Sequence, residues 1–341
     1  MNNISPVLTE SGKEKINELF GSFSFEDIVS EITEGNFSFE GGGIVNKIIS
    51  LFLGELRSSF ALMGVLISIV IVCALINNLQ ESFKRESVGK MAHFSIYIYI
   101  ATIAITAFQS ASAYVYETLS DITILMESII PVMSVLCATG GGAVMATMTH
   151  PVIFFVCSAM NYLIKTVITP LALLRGATAL LCGLNQNSGM GEFSQLFSKI
   201  HKVLLALSMT LFAGFLGISR FAASSFDTLA ARGIKFAITA TVPVVGGSLA
   251  EAMNSVAGSA LLLKNAVGIT GMISLFALFV IPMIKLGALS LIYKITSAVA
   301  APIADKDIIE TLKRIGECID MLFSSVACMG AIMIIALAAL M

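Results

Sequence analysis

Apolar residues run through this chain in blocks too long for the core of a soluble domain. About 20 apolar residues cross a bilayer core. On that measure spanning segments are predicted at 60–80, 94–116, 128–147, 151–174, 203–219, 236–250, 265–284, 286–303 and 321–341. Several fall short of a full span, and 236–250 and 286–303 are the weakest. The pattern predicts an all-α, polytopic membrane protein with six to nine membrane segments, at least one pair of which enters and returns. Ahead of these blocks lies a different texture. Residues 1–43 are polar and acidic, with phenylalanines set among acids in FSFEDIVSEI and NFSFEGGG, and Gly41, Gly42 and Gly43 close this part as a linker. In IVNKIISLFLGELRSSF, Ile44, Ile48, Leu51, Phe52 and Leu56 fall at helical spacing away from Lys47, Glu55 and Arg57. That predicts an interfacial amphipathic helix over 44–57, followed by a multi-pass membrane domain over 58–341.

One block departs from the pattern. No Asp, Glu, Lys or Arg occurs between Glu127 and Lys165, yet this run contains CATGGGAVMATMTHP, with Gly140, Gly141 and Gly142 in a row and the pair His150-Pro151. Both features weaken a helix. Non-helical backbone at membrane depth is tolerated only where protein or a water-filled cavity surrounds it, so the break at 139–151 is expected to face the protein interior. Close packing between helices is the competing use of these glycines.

The landmarks of this region recur. Pro131-Val132 returns as Pro243-Val244 and Pro170 as Pro282, both at an offset of 112; YETL at 116–119 is matched by FDTL at 226–229, and Gly176-Ala177 by Gly287-Ala288. An internal duplication with repeats 94–177 and 203–288 accounts for the order of these matches, and chance likeness among low-diversity membrane segments is the bland alternative. Under the duplication the glycine break has a counterpart in PVVGGSLAEAMNSVAGSALLLKNAVG, residues 243–268, with Pro243, Gly246, Gly247 and Gly258 as its breakers. Paired breaks in two repeats point to a binding or translocation region.

Composition agrees with a membrane protein. The 341 residues are 57% hydrophobic and 12% charged, with a mean hydropathy of +0.92, whereas soluble domains carry about 25% charged residues. Charge is unevenly spread. Residues 1–57 hold nine acids and four bases, and residues 128–304 hold three acids and ten bases. Lys165 stands in the middle of a predicted span, where a lysine costs about 2.5–3.5 kcal/mol. Glu251 and Lys264 flank the second break, and Glu251, nearly alone among the bases, is the expected partner for one of them. A buried ion pair that fixes helix register is the plainer reading of these charges, and transport chemistry the sharper one. His150 before Pro reads first as a hydrogen-bonding cap. The six cysteines lie mostly in apolar blocks without CxxC spacing or a Cys/His cluster, so they read as small buried hydrophobes. No catalytic constellation, cofactor motif or metal-ligand spacing is present; no enzyme, cofactor or metal is expected.

Orientation follows from Lys and Arg in short loops. Residues 81–93 carry Lys84, Arg85 and Lys90, whereas 117–127 carry three acids and no base. The first is expected in the cytoplasm, and the second outside along with the acidic residues 1–57. The start, MNNISPVLTESGKEK, lacks an apolar stretch of signal-peptide type, so the N-terminus stays where it is made or a leader has been removed. Beyond residue 175 three further groups, 175–202, 220–235 and 304–320, hold three bases each. They cannot all be cytoplasmic if every intervening segment crosses.

Three blocks carry a family resemblance: GELRSSFALMGVLISIVIVCALINNLQESFKRESVGKMA at 54–92, ATGGGAVMATMTHPVIFFV at 138–156, and the pair VPVVGGSLAEAMNSV at 242–256 and SALLLKNAVG at 259–268. Through them the chain resembles the stage III sporulation protein AE family of endospore-forming bacteria. The resemblance implies a subunit of a channel or secretion-like complex in the mother-cell membrane around the forespore. It also implies assembly with other stage III sporulation proteins of one operon, an ATPase and small membrane proteins among them. It assigns no catalytic residue. A homo-oligomer is left open, the lipid bilayer is an expected partner and nucleic acid is not. The second hypothesis is a secondary transporter with a substrate site between the two repeats, against which the scarcity of buried acids counts.

Overall fold

The computed structural model describes residues 41–83, 86–142, 145–184, 190–241 and 246–341. At 41–45, 47, 76–83, 86–90, 92–93, 184, 220–241 and 246–254 it describes the backbone alone. The described residues form helices and turns and no strand. Helix α1 runs Gly41–Phe83 and α2 Glu86–Thr139. After the glycine turn comes a composite leg: a π-turn at Met145–Thr149, α3 at His150–Leu163, a second π-turn at Ile164–Ile168 and α4 at Thr169–Leu184. Then follow α5 (Met190–Thr241), α6 (Gly246–Ala300) and α7 (Lys306–Leu340).

Six of these units are long and apolar enough to cross a membrane: Ile48–Leu75, Phe94–Thr139, Met145–Gly183, Met190–Ser219, Ser255–Ala300 and Lys306–Leu340. The chain is an all-α, multi-pass membrane protein.

The helices are longer than the bilayer requires, and this corrects the division of the sequence. Segments 94–116 and 128–147 do not flank an outside loop. Residues 117–127 continue α2, whose 54 residues rise about 80 Å at 1.5 Å each, against a hydrocarbon core of about 30 Å. The polar stretch is accommodated within the helix. The Thr118 and Thr123 hydroxyls donate back to the Tyr114 and Leu119 carbonyls at 2.7 and 2.9 Å, and Thr118, Asp121, Ile122, Leu125 and Met126 are buried. In the same way 265–284 and 286–303 lie on one helix, α6, with Lys285 between them placed 5.2 Å from the centre of the Tyr114 ring. Segment 151–174 crosses α3, a π-turn and α4. The amphipathic stretch 44–57 is the first part of α1, which continues without a break to Phe83.

Two antiparallel hairpins organise the molecule. In the first, α2 lies along the composite leg: Ser134 meets His150, Leu119 meets Asn161, Phe108 meets Gly176, and Tyr97 donates to the Leu180 carbonyl. In the second, α6 lies along α7: Gly268 meets Met341, Phe279 meets Gly330, and Ser290 and Lys294 meet Asp320. The hairpins join through α2 and α6, where Ile129 meets Gly271 and Gly140 meets Leu261, and through α4 and α7, where Gly183 meets Thr311. Buried residues of α2 (Leu119, Ile122, Met126, Ile129) and of α7 (Ile319, Leu322, Val326, Met329) belong to one continuous core. Helix α1 packs parallel to α6, with Ile48 against Ala277 and Ile281 and Phe52 near Gly287.

The proposed repeats meet this architecture unevenly. Pro131, Pro170 and Pro282 all lie inside helices, whereas Pro243 lies outside the described residues. The offset of 112 sets the turn at 140–142 against 252–254, which are helical.

Candidate functional site: the glycine turn and the buried polar interfaces

The glycine run ends a helix, and its backbone shows how. The Gly142 amide donates to the Cys137 carbonyl at 2.9 Å, the Gly141 amide to the Ala138 carbonyl at 3.3 Å, and Gly141 has φ +96°. This is a Schellman cap, in which a left-handed residue lets the chain turn and still satisfies the last carbonyls. Gly141 is exposed, and a Cβ built on it meets nothing within 4 Å. Conformation, not space, explains the glycine there. Gly140 differs, because a Cβ on it would stand 3.1 Å from Leu261 Cδ2 and 3.2 Å from the Leu136 carbonyl.

The first break and the Gly/Ser-rich stretch of α6 are neighbours in space. Besides Gly140 at Leu261, Lys264 approaches α2: its Nζ lies 3.6 Å from the Cys137 Sγ, and the residue is 4% exposed. A cation held at the last turn of α2 complements the negative end of that helix. The second interruption, expected over 243–268, is helical from Gly246 onward. Gly246 and Gly247 open α6, and Gly258 sits within it with nothing within 4 Å of an added Cβ. Glu251 lies on the helical backbone of α6, and its side chain falls outside what the structure describes. Lys165 is exposed, in the second π-turn. His150 is fully buried at the start of α3, with Nδ1 3.0 Å from the Ser134 hydroxyl, and Pro151 beside it is exposed.

The strongest polar interfaces are ones that sequence reasoning missed. Arg175 on α4 forms an ion pair with Glu317 on α7 and approaches Met321 Sδ at 3.3 Å. Lys294 on α6 pairs with Asp320 on α7 at 2.5 Å, and Ser290 donates to the same carboxylate. His201 on α5 is fully buried; its Nδ1–H donates to the Ile168 carbonyl at 3.3 Å, and its Nε2 lies 3.2 Å from the Ser324 hydroxyl of α7. These contacts fasten α4, α5 and α6 to the first half of α7. A signal existed. Glu310, Glu317 and Asp320 recur at 7 and 3 residues, on one face of a helix whose other face is apolar. Among the described residues no group of three His, Cys, Asp or Glu is placed to hold a metal ion. The arrangement supplies fixed charge, registration and a helix turn.

Comparison with known proteins places the chain. The family model of stage III sporulation protein AE matches residues 23–341. Stage III sporulation protein AE of Bacillus subtilis (strain 168) is 29% identical over 297 residues, covering 87% of this chain and 74% of that protein. No solved structure matches the chain.

Proposed function

From the premise that the chain belongs to the stage III sporulation protein AE family, we propose that it is a membrane subunit of a channel-like complex between mother cell and forespore. It acts by assembly with other stage III sporulation proteins and contributes helices to the conduit wall. The family match over residues 23–341 carries the sporulation role; the channel is the finer reading. Two features support it. The bundle is taller than a bilayer core, which leaves helix surface beyond the lipid for contacts with partners. Two carboxylates at its helix interfaces are also committed to bases: Glu317 is held by Arg175 and Asp320 by Lys294. A coupled transporter needs carboxylates free to exchange their cation. The groove of about 580 Å³ between α2 and α4 is lined by groups such as Ile98, Ala101, Ile105, Phe108 and Leu181. It presents no charged group to a polar solute.

The test is genetic and biochemical together. Deletion in the native sporulating host is expected to arrest development after engulfment. A tagged full-length chain is expected to encircle the forespore and to co-purify with other stage III proteins. Spore formation at wild-type yield without the chain would overturn the sporulation role. Arrest without co-purification, together with solute uptake by the chain alone in liposomes, would replace the channel reading by the transporter.

A further inference from the structure

We propose that α3, His150–Leu163, is a two-position segment that shifts register between the two π-turns bracketing it. Both wide turns fall in one leg, at Met145–Thr149 and Ile164–Ile168, each immediately before an X-Pro pair, His150-Pro151 and Thr169-Pro170. A proline ring clashes with the carbonyl four residues earlier, and a wide turn relieves that clash. Proline alone does not account for the pair, because Pro131 and Pro282 sit inside α2 and α6, which are assigned as unbroken α-helix. A π-turn holds one more residue per turn than an α-turn. Passing the extra residue of one turn to the other, which then holds two, moves the segment about 1.5 Å and rotates it by about 100°, and leaves the turn that gave it up α-helical, as around Pro131 and Pro282.

The sequence of α3 suits two positions. Its buried stripe is His150, Ile153, Cys157 and Asn161. One residue of rotation puts Val152, Val156 and Met160 in their place. No charged residue lies anywhere in HPVIFFVCSAMNYL, so neither position exposes an ion to the lipid or buries one in the core. Phe155 and Tyr162 are each 71% exposed, so the outer face is not locked by packing among the described residues.

Hydrogen bonds hold the observed position at both ends. Ser134 and His150 join α2 to the first residue of α3. Near its end, Asn161 Nδ2 donates to the Leu119 carbonyl at 3.0 Å and to the Thr123 hydroxyl, while its buried Oδ1 has no hydrogen-bond partner among the described residues. The second latch is thus half made. Beyond it, His201 caps the carbonyl of Ile168 and keeps the far side of the π-turn in place while α3 moves. Register shifts of helices between discrete positions are an established form of conformational switching.

Cysteine pairs trap the two positions. Thr123→Cys with Asn161→Cys reports the observed one. Thr123→Cys with Met160→Cys reports the rotated one, because a disulfide needs a Cβ separation of about 3.5–4.5 Å and residue 160 now faces about 100° away. Each pair is oxidised in native membranes, with single-cysteine variants as controls for the six native thiols. Both pairs are expected to cross-link, the second to at least about a tenth of the first. Cross-linking of the first pair alone overturns the proposal. If the variants do not accumulate, hydrogen exchange of the wild-type chain in nanodiscs decides. Amides of 164–168 are expected to exchange at least about tenfold faster than those of 172–180, and equal protection overturns the proposal.

Discussion

At Gly141 the backbone sits at φ +96° with open space around the missing Cβ, so a substitution there is felt through the main chain. A left-handed residue with a side chain costs about 1–2 kcal/mol. Gly141→Ala is expected to lower stability by about that amount, and Gly141→Asn by less, because Asn tolerates this conformation. Thermal unfolding of the purified protein in detergent measures both. An Ala variant as stable as wild type would show that the turn does not depend on a left-handed residue. The Arg175–Glu317 pair makes a prediction of another kind. Arg175 is buried and Glu317 half-buried. Arg175→Met leaves the carboxylate without its cation and is expected to cost about 2 kcal/mol and to reduce the folded protein in membranes. Exchanging the two residues, Arg175→Glu with Glu317→Arg, is expected to recover part of the loss. No recovery would mean that Arg175 acts through its packing on Met321 instead.

Among the elements, glycines separate into those that let helices approach and those that do not. A Cβ on Gly330 of α7 would lie 2.7 Å from Phe279 Cγ, at the stiff base of the ring, whereas one on Gly217 of α5 meets nothing within 4 Å. Gly330→Ala therefore forces α6 and α7 apart and is expected to destabilise by about 1–3 kcal/mol. Gly217→Ala is expected to be neutral or to stabilise by up to about 1 kcal/mol. Reversal of that order in chemical or thermal unfolding would break the assigned packing of α6 on α7. The same elements show what the sequence could and could not reveal. Helix and membrane were legible, since apolar blocks and missing charges are local signals; three consecutive glycines marked a break, but not its surroundings, for Gly141 is exposed where the interior was expected. The cuts at 117–127 and at Lys285 were misplaced because polarity was equated with a loop. In these overlong helices it marks a level where another helix supplies the partner, as Tyr114 does for Lys285. The ion pairs with α7 were illegible for the related reason that Arg175 and Glu317 stand 142 residues apart, and composition carries no information on which helices meet.

For the whole molecule, the antiparallel pairing sorts the basic segments by end. The start of α2, the end of α4 and the start of α7 are neighbours, because Tyr97 donates to Leu180 and Gly183 abuts both Tyr97 and Thr311. This end therefore collects Lys90, Lys306, Lys313 and Arg314 and the start of α5, with Lys199 and Lys202 further along that helix. The fourth basic group, 220–235, lies on α5 beyond its apolar part Met190–Ser219, toward the opposite end, and is the one group that counts against this sorting. The opposite end holds the glycine turn, Leu261 and the C-terminal Met341, which abuts Gly268. Bases in short connections favour the cytoplasm, so the first end is expected to face the cytoplasm and the glycine turn the space outside it. Helix α1 runs parallel to α6 toward the basic end, so its first residue, Gly41, lies toward the glycine-turn side. Single cysteines at Arg85, Ile303 and Gly141, treated in intact cells with a membrane-impermeant thiol reagent, test this. Position 141 is expected to react, and positions 85 and 303 only after the membrane is permeabilised. Reaction at 85 and 303 with protection at 141 would invert the molecule and place the acidic N-terminal segment in the cytoplasm.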